Sequence, residues 1–115
     1  MLFRSAVAVG DVDDADICVL GWGSTWAAID AAVQRTRRRG LKVAWVHLTH
    51  LNPLPPNLGE VLQRYPRLIV PELNLGQLCR IVRAEYLVDA KPVTKVQGLP
   101  FTARELEDAI EGALK

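Results

Sequence analysis

The stretch that decides the fold reads Ile17-Cys18-Val19-Leu20-Gly21-Trp22-Gly23-Ser24-Thr25. It continues through Trp26-Ala27-Ala28-Ile29-Asp30-Ala31-Ala32-Val33 to Arg37-Arg38-Arg39-Gly40, and a second apolar run follows at Val43-Ala44-Trp45-Val46. An apolar run of strand length, a glycine turn, a helix-period stretch and another apolar run make one β-α-β unit. Ala28, Ile29, Ala32 and Val33 recur on one helical face. The spacing predicts a strand over 17–22, a helix over 25–39 and a strand over 42–48. Basic side chains in the last turn before a glycine suit the negative end of the helix dipole. Arg35, Arg37, Arg38 and Arg39 are therefore read as a solvated helix end, with a phosphate site as the alternative.

Working outward, the same rhythm recurs: strands are expected over 67–71 and 92–96, and helices over 58–65, 75–87 and 103–114. Three helices open on a side chain that can cap them, with a Glu or Gln three residues on that can reach back: Asn57 with Glu60, Asn74 with Gln77, and Thr102 with Glu105. The last helix spaces Leu106, Ala109, Ile110, Ala113 and Leu114 to face a sheet. Strands alternating with helices pair in parallel through right-handed crossovers, and runs such as Ile17 to Leu20 and Leu68 to Val70 suit strands covered on both faces. The expected architecture is an α/β protein, a three-layer α/β/α sandwich around a mostly parallel sheet of four or five strands. Asp11, Asp13, Asp14 and Asp16 form an acidic turn that does not pack easily. It is read as a boundary between a leader, residues 1–15, non-native or an edge strand, and a domain over 16–115.

Composition sets the outer limits. The chain has 115 residues, half of them hydrophobic and 23% charged, with a net charge of +1, which fits one domain that buries a core without staples. Cys18 and Cys79 sit in apolar runs and form no C-x-x-C, so they make no case for zinc, an iron–sulfur cluster or a redox pair and read as core residues. No run approaches the ~18 apolar residues of a membrane span, and the N-terminus lacks the basic and apolar regions of a secretory signal. The reading is cytoplasmic, without a membrane partner. A charge balance near neutrality gives no field for nucleic acid.

Chemistry in an open α/β sheet gathers at the loops after the carboxyl ends of the strands, here 21–25, 49–57, 71–74 and 98–100. Gly21-Trp22-Gly23 leads from a strand into a helix like a phosphate loop. Trp26 stands where the third glycine of a dinucleotide fingerprint belongs, and His47 where an acidic ribose partner would be. There is no Gly-Lys-Ser/Thr and no Gly-Asp-Gly with a downstream Asn of the kind that holds magnesium and thiamine diphosphate. His47 and His50 have no third metal ligand nearby, and Ser24 lacks a nucleophile elbow. No catalytic, cofactor-binding or metal-binding residue is therefore assigned to this chain. Pro53, Pro55 and Pro56 stiffen the segment 51–57, which makes it either a docking surface of low entropy cost or a rigid crossover that delivers Asn57. Asn74 reads as a cap, whereas Glu72 has no structural duty and reads as a polar contact across an interface.

Taken together, Gly21-Trp22-Gly23-Ser24-Thr25, His47-Leu48 with Leu51-Asn52-Pro53-Leu54-Pro55 and Asn57, and Val70-Pro71-Glu72-Leu73-Asn74-Leu75-Gly76-Gln77-Leu78 carry a resemblance. They resemble the C-terminal part of the alpha subunit of 2-oxoacid:ferredoxin oxidoreductases, most closely the 2-oxoglutarate type, over about Asp16 to Leu114. The resemblance implies the transketolase C-terminal-like domain, or domain II, whose sheet has a fifth, antiparallel strand that Ala6 to Val9 could supply here. Met1 to Ser5 do not resemble the family. It further implies a whole enzyme that decarboxylates a 2-oxo acid on thiamine diphosphate with magnesium, passes electrons through an iron–sulfur cluster to ferredoxin, and forms an acyl-CoA. The family's cofactor-binding residues lie upstream in the alpha subunit and in the beta subunit, which with ferredoxin are the implied partners.

The expectation is thus a non-catalytic assembly domain, inactive alone, that packs its strand-end loops against partner domains. The contact residues expected are Trp22, Ser24, Thr25 and Trp26 on the first loop, Asn52, Pro53, Leu54 and Pro55 on the second, and Glu72 on the third. Tryptophans are enriched among interface anchors, although Trp26 could equally face the core. The alternative is a stand-alone module binding an anionic ligand, a nucleotide or the phosphate end of coenzyme A, on the N–H groups of the Gly21–Thr25 loop.

Overall fold

Ile17 to Leu20 are buried side by side, and a strand covered on both faces belongs at the centre of a sheet with helices above and below it. The computed structural model of the chain describes residues 7–48, 56–72, 77–94 and 101–114. In it Ile17–Trp22 (β2) lies in the middle of a five-stranded sheet of order β1-β3-β2-β4-β5, the others being Ala8–Gly10 (β1), Val43–Leu48 (β3), Leu68–Glu72 (β4) and Ala90–Thr94 (β5). β2 to β5 run parallel, and β1 pairs antiparallel with β3 through Ala8↔Val46 and Gly10↔Ala44. The helices are Trp26–Arg38 (α1), Leu58–Gln63 (α2), Gln77–Tyr86 (α3) and Ala103–Leu114 (α4).

Alternation along β2 divides the core into two layers. Cys18 and Leu20 join Leu58, Leu62, Leu78 and Val82 on the α2–α3 side, while Ile17 and Val19 join Ile29, Val33, Leu106 and Ile110 on the α1–α4 side. This is the expected three-layer sandwich. Both cysteines belong to the first layer: burial pushes the Cys18 thiol up to about 12 and raises Cys79, whose Sγ–H donates to the Ala90 carbonyl at 3.4 Å. No helix among the described residues is long and apolar enough to cross a membrane.

Element ends depart from the sequence reading for local reasons. α2 stops at Gln63 rather than 65: Arg64 and Tyr65 tighten to i−3 bonds onto Val61 and Leu62, and Pro66 cannot continue a helix. β5 begins at Ala90 rather than 92, because it is an edge strand and a proline such as Pro92 is tolerated where one side of the ladder stays open.

The acidic turn is tied to the fold chiefly through Asp11, while Asp13, Asp14 and Asp16 stay exposed. Asp11 Oδ2 accepts from the Val43 amide at 3.0 Å and from Arg37 Nε at 3.1 Å, and Asp14 pairs with Lys42. Gly10 makes the bend possible, with φ +100° and no room for a Cβ, which would lie 2.6 Å from the Val43 carbonyl oxygen. The arginines at the end of α1 are exposed, as expected, and two of them also form ion pairs: Arg37 ties α1 to the β1–β2 turn, and Arg39 pairs with Glu111 and Glu107 of α4. At such exposure each pair contributes about 0–1 kcal/mol. The cleft of about 400 Å³ beside them counts Asp11 among its lining residues along with Arg37, Arg38 and Lys42.

Candidate functional site at the carboxyl ends of the strands

The chain leaves β2 over α1 toward β3 on one side and leaves β4 over α3 toward β5 on the other. Neighbouring strands whose connections depart in opposite directions form a switch point, where open α/β sheets present their working surface. Pairing of β2 with β4 runs through Cys18↔Leu68 and Val19↔Ile69, whereas β2 pairs with β3 all the way to Trp22↔Leu48. The carboxyl ends of β2 and β4 are the two banks of this edge.

On the β2 bank the Gly-x-Gly geometry is forced. A Cβ on Gly21 would lie 2.2 Å from Ile29 Cδ1, so the first glycine lets α1 approach the strand. Gly23 has φ +69°, a conformation that favours glycine, and opens a short 3₁₀ turn, Gly23–Thr25, that runs straight into α1. Thr25 is buried and its hydroxyl donates back to the Trp22 carbonyl at 2.9 Å. That bond closes the turn from inside, so Thr25 is a brace and not a surface group. Trp22 and Trp26 remain outside, 37% and 56% exposed, which resolves the orientation of Trp26 toward solvent. Ser24 lies within the same turn.

Beneath this turn His47, the register partner of Gly21, meets Trp45 edge-on with ring centroids 6.0 Å apart. Burial holds the His47 imidazole below its ordinary value of 6.5, with the Gly23 carbonyl opposing. Among the described residues no group of three His, Cys, Asp or Glu side chains is placed to hold a metal.

On the β4 bank the structure corrects the reading of Glu72. Its side chain is 2% exposed. One carboxylate oxygen accepts from the Leu78 amide at 2.7 Å and the other from the Cys79 amide at 3.1 Å. These are orphan donors of the first turn of α3, so Glu72 has a structural duty of its own, capping α3, and its buried carboxylate is not free to reach across a surface. The clue available in the sequence was a Glu at a strand end just before a helix; its reach over six residues was not readable. Asn52, Pro53, Leu54, Pro55, Asn74 and His50 lie outside the described residues. Thr102 and Glu105 do form the expected reciprocal cap of α4, at 3.0 and 3.1 Å, whereas Asn57 precedes α2 without a side-chain capping bond.

Residues 15–109 match the family model described as pyruvate:ferredoxin oxidoreductase core domain II. The chain belongs to this family. As a domain II it is 54% identical over 101 residues to the 2-oxoglutarate oxidoreductase subunit KorA of Mycobacterium tuberculosis, a match covering 88% of this chain and 16% of that protein. It is 32% identical to the 2-oxoglutarate synthase subunit KorA of Methanocaldococcus jannaschii, over 90% of this chain and 28% of that one. Among solved structures it superposes on the 2-oxoglutarate:ferredoxin oxidoreductase of Magnetococcus marinus, solved with 2-oxoglutarate, coenzyme A and succinyl-CoA bound. There the TM-score is 0.91 and the identity 30%, over 98% of this chain and 20% of that chain. A split-gene transketolase shares the fold, with a TM-score of 0.73 and 20% identity over 99% of this chain and 43% of that chain. This domain II therefore spans between about a sixth and less than a third of the curated relatives named here.

Proposed function

We propose that this domain II serves a 2-oxoacid:ferredoxin oxidoreductase, most closely a 2-oxoglutarate type, as a non-catalytic assembly domain of its alpha subunit. The whole enzyme would decarboxylate the 2-oxo acid oxidatively to an acyl-CoA and reduce ferredoxin. Its partners would be the remainder of the alpha subunit and the beta subunit, and its setting the cytoplasm, in keeping with two free, buried cysteines. The substrate preference is supported by the 54% identity to a 2-oxoglutarate oxidoreductase subunit. The single observation that carries the assembly role is the exposed pair Trp22 and Trp26, two large apolar rings held on a braced turn at the switch point. Exposed aromatic side chains on a rigid base are what buried interfaces are anchored by. Ser24 and the segment Asn52 to Pro55 would complete the docking edge.

The cofactors of the whole enzyme, thiamine diphosphate with magnesium, an iron–sulfur cluster and coenzyme A, would be held by its other parts. The described residues here do not fit a cluster: Cys18 and Cys79 are both sealed in the α2–α3 core layer, with thiols that burial keeps protonated. No chemical step is assigned to this chain. Mixing it with the remaining alpha-subunit portion and the beta subunit tests the reading. The expected result is a complex by light scattering, with 2-oxoglutarate-dependent reduction of a viologen dye. Trp22→Ala together with Trp26→Ala should weaken association at least about tenfold. A monomer that ignores both partners yet binds a nucleotide or coenzyme A saturably would replace this reading with an anion-binding module at Gly23–Thr25.

A further inference from the structure

Glu72 is the acidic side chain buried most deeply among the described residues, and nothing in the proposed assembly role yet uses it. Removing a carboxylate from water is a penalty of several kcal/mol, about as large as a small domain's margin, unless hydrogen bonds and local dipoles offset it. Here both oxygens are engaged by the Leu78 and Cys79 amides, at the positive end of the α3 dipole. The site is well compensated, yet a cheaper solution exists in the same chain. α4 starts from Thr102 and Glu105, an exposed pair acting within one turn. Starting a helix therefore does not require a buried carboxylate.

What Glu72 adds is reach. It is the last residue of β4, and its partners lie six and seven positions on, so the carboxylate joins the end of the strand to the first turn of the helix across residues 73–76. α3 is held from beneath as well: Leu78, Cys79 and Val82 are buried, and Cys79 Sγ–H donates to Ala90 of β5. Position matters equally. β4 neighbours β2, the strand that leads into the Trp22 turn, and its carboxyl end forms the other bank of the switch point.

We propose that Glu72 is a positioning residue for assembly: by clamping the end of β4 to the first turn of α3 it fixes the β4 bank of the docking edge without itself touching the partner. This rests on the assembly reading and refines it, since it moves Glu72 from contact to support.

The test uses the chain with the remaining alpha-subunit portion and the beta subunit, comparing Glu72→Gln with Cys79→Ala. The amide keeps size and one acceptor but turns a donor toward the second N–H. Cys79→Ala loosens α3 at its Ala90 anchor and leaves the carboxylate clamp intact. Glu72→Gln is expected to keep its far-UV circular dichroism, to show faster hydrogen exchange at the Leu78 and Cys79 amides, and to bind its partners about fivefold or more weakly. Cys79→Ala is expected to melt lower with an unchanged Kd. If Glu72→Gln does not fold, Glu72→Asp, which keeps the charge on a shorter arm, is read in its place. Partner affinity unchanged by the Glu72 substitution overturns the proposal and leaves the assembly reading standing, and equal weakening by Cys79→Ala overturns it as a mere stability effect. If the unsubstituted chain does not associate at all, the assembly reading fails and the proposal fails with it.

Discussion

α3 and α4 begin with the same chemistry, a glutamate oxygen on a backbone N–H, deployed over different distances. At α4 the Glu105 carboxylate turns back onto the amide of Thr102, three residues away and in solvent. At α3 the Glu72 carboxylate comes from the preceding strand and is sealed inside. Local caps define a helix, whereas a long-range cap defines where the helix sits relative to the sheet. Burial converts a capping bond from a small local term into a tertiary restraint, because an orphaned group there has no water to fall back on.

The largest effect is expected from Glu72→Ala. It leaves the Leu78 and Cys79 amides without their acceptor and should lower unfolding free energy by about 3 kcal/mol, read as a shift in the urea midpoint. A loss below about 0.5 kcal/mol would mean the clamp is idle. Next in size, the same substitution should loosen α3 selectively. Both thiols are raised by burial, so iodoacetamide at pH 8 should spare them in the native chain. In Glu72→Ala, Cys79 alone should react on the order of tenfold faster through local opening, leaving Cys18 protected. Equal acceleration of both would point to global unfolding instead.

Thr102→Ala should cost about 1 kcal/mol. Combined with Glu72→Ala it should add within about 0.5 kcal/mol, as independent sites do, and strong coupling in the urea midpoints would show that the two helix starts are not separate devices. The smallest effect belongs to His47. Its folded-state value lies below 6.5, so the neutral ring is favoured in the fold. Its contribution is therefore complete above pH 6.5 and is lost as pH falls through the lowered folded value. His47→Gln should flatten the stability profile across that window, and an unaltered slope would remove His47 from the acid response.

Much of the architecture was legible because it depends on local period. The apolar runs from Ile17 and Leu68, the helical face of Ala28, Ile29, Ala32 and Val33, and the Thr102–Glu105 box each declare themselves within a few residues. Strand and helix spans matched to within a few residues, and β5 starts two residues earlier than expected because an edge strand tolerates Pro92 within it. The turn after β2 was half legible. Trp22 and Trp26 are named by their place beside a glycine turn, but that Trp26 faces solvent depends on how α1 lies against Gly21. Asp11 looked like unpackable charge because its partners, Val43 and Arg37, lie 32 and 26 residues away.

By itself, then, the sequence determined the alternation of strands and helices, the parallel three-layer class, the glycine turn after β2 and the family to which the three loop motifs point. All of these follow from short-range pattern, where side-chain period and turn chemistry act between neighbours. Tertiary structure alone decided the strand order, the switch point between β2 and β4, the burial of Thr25 and the duty of Glu72. Each of those depends on which surfaces meet when distant segments fold together. A carboxylate is a solvent group or an internal clamp according to what closes over it, and that is a property of the packed chain.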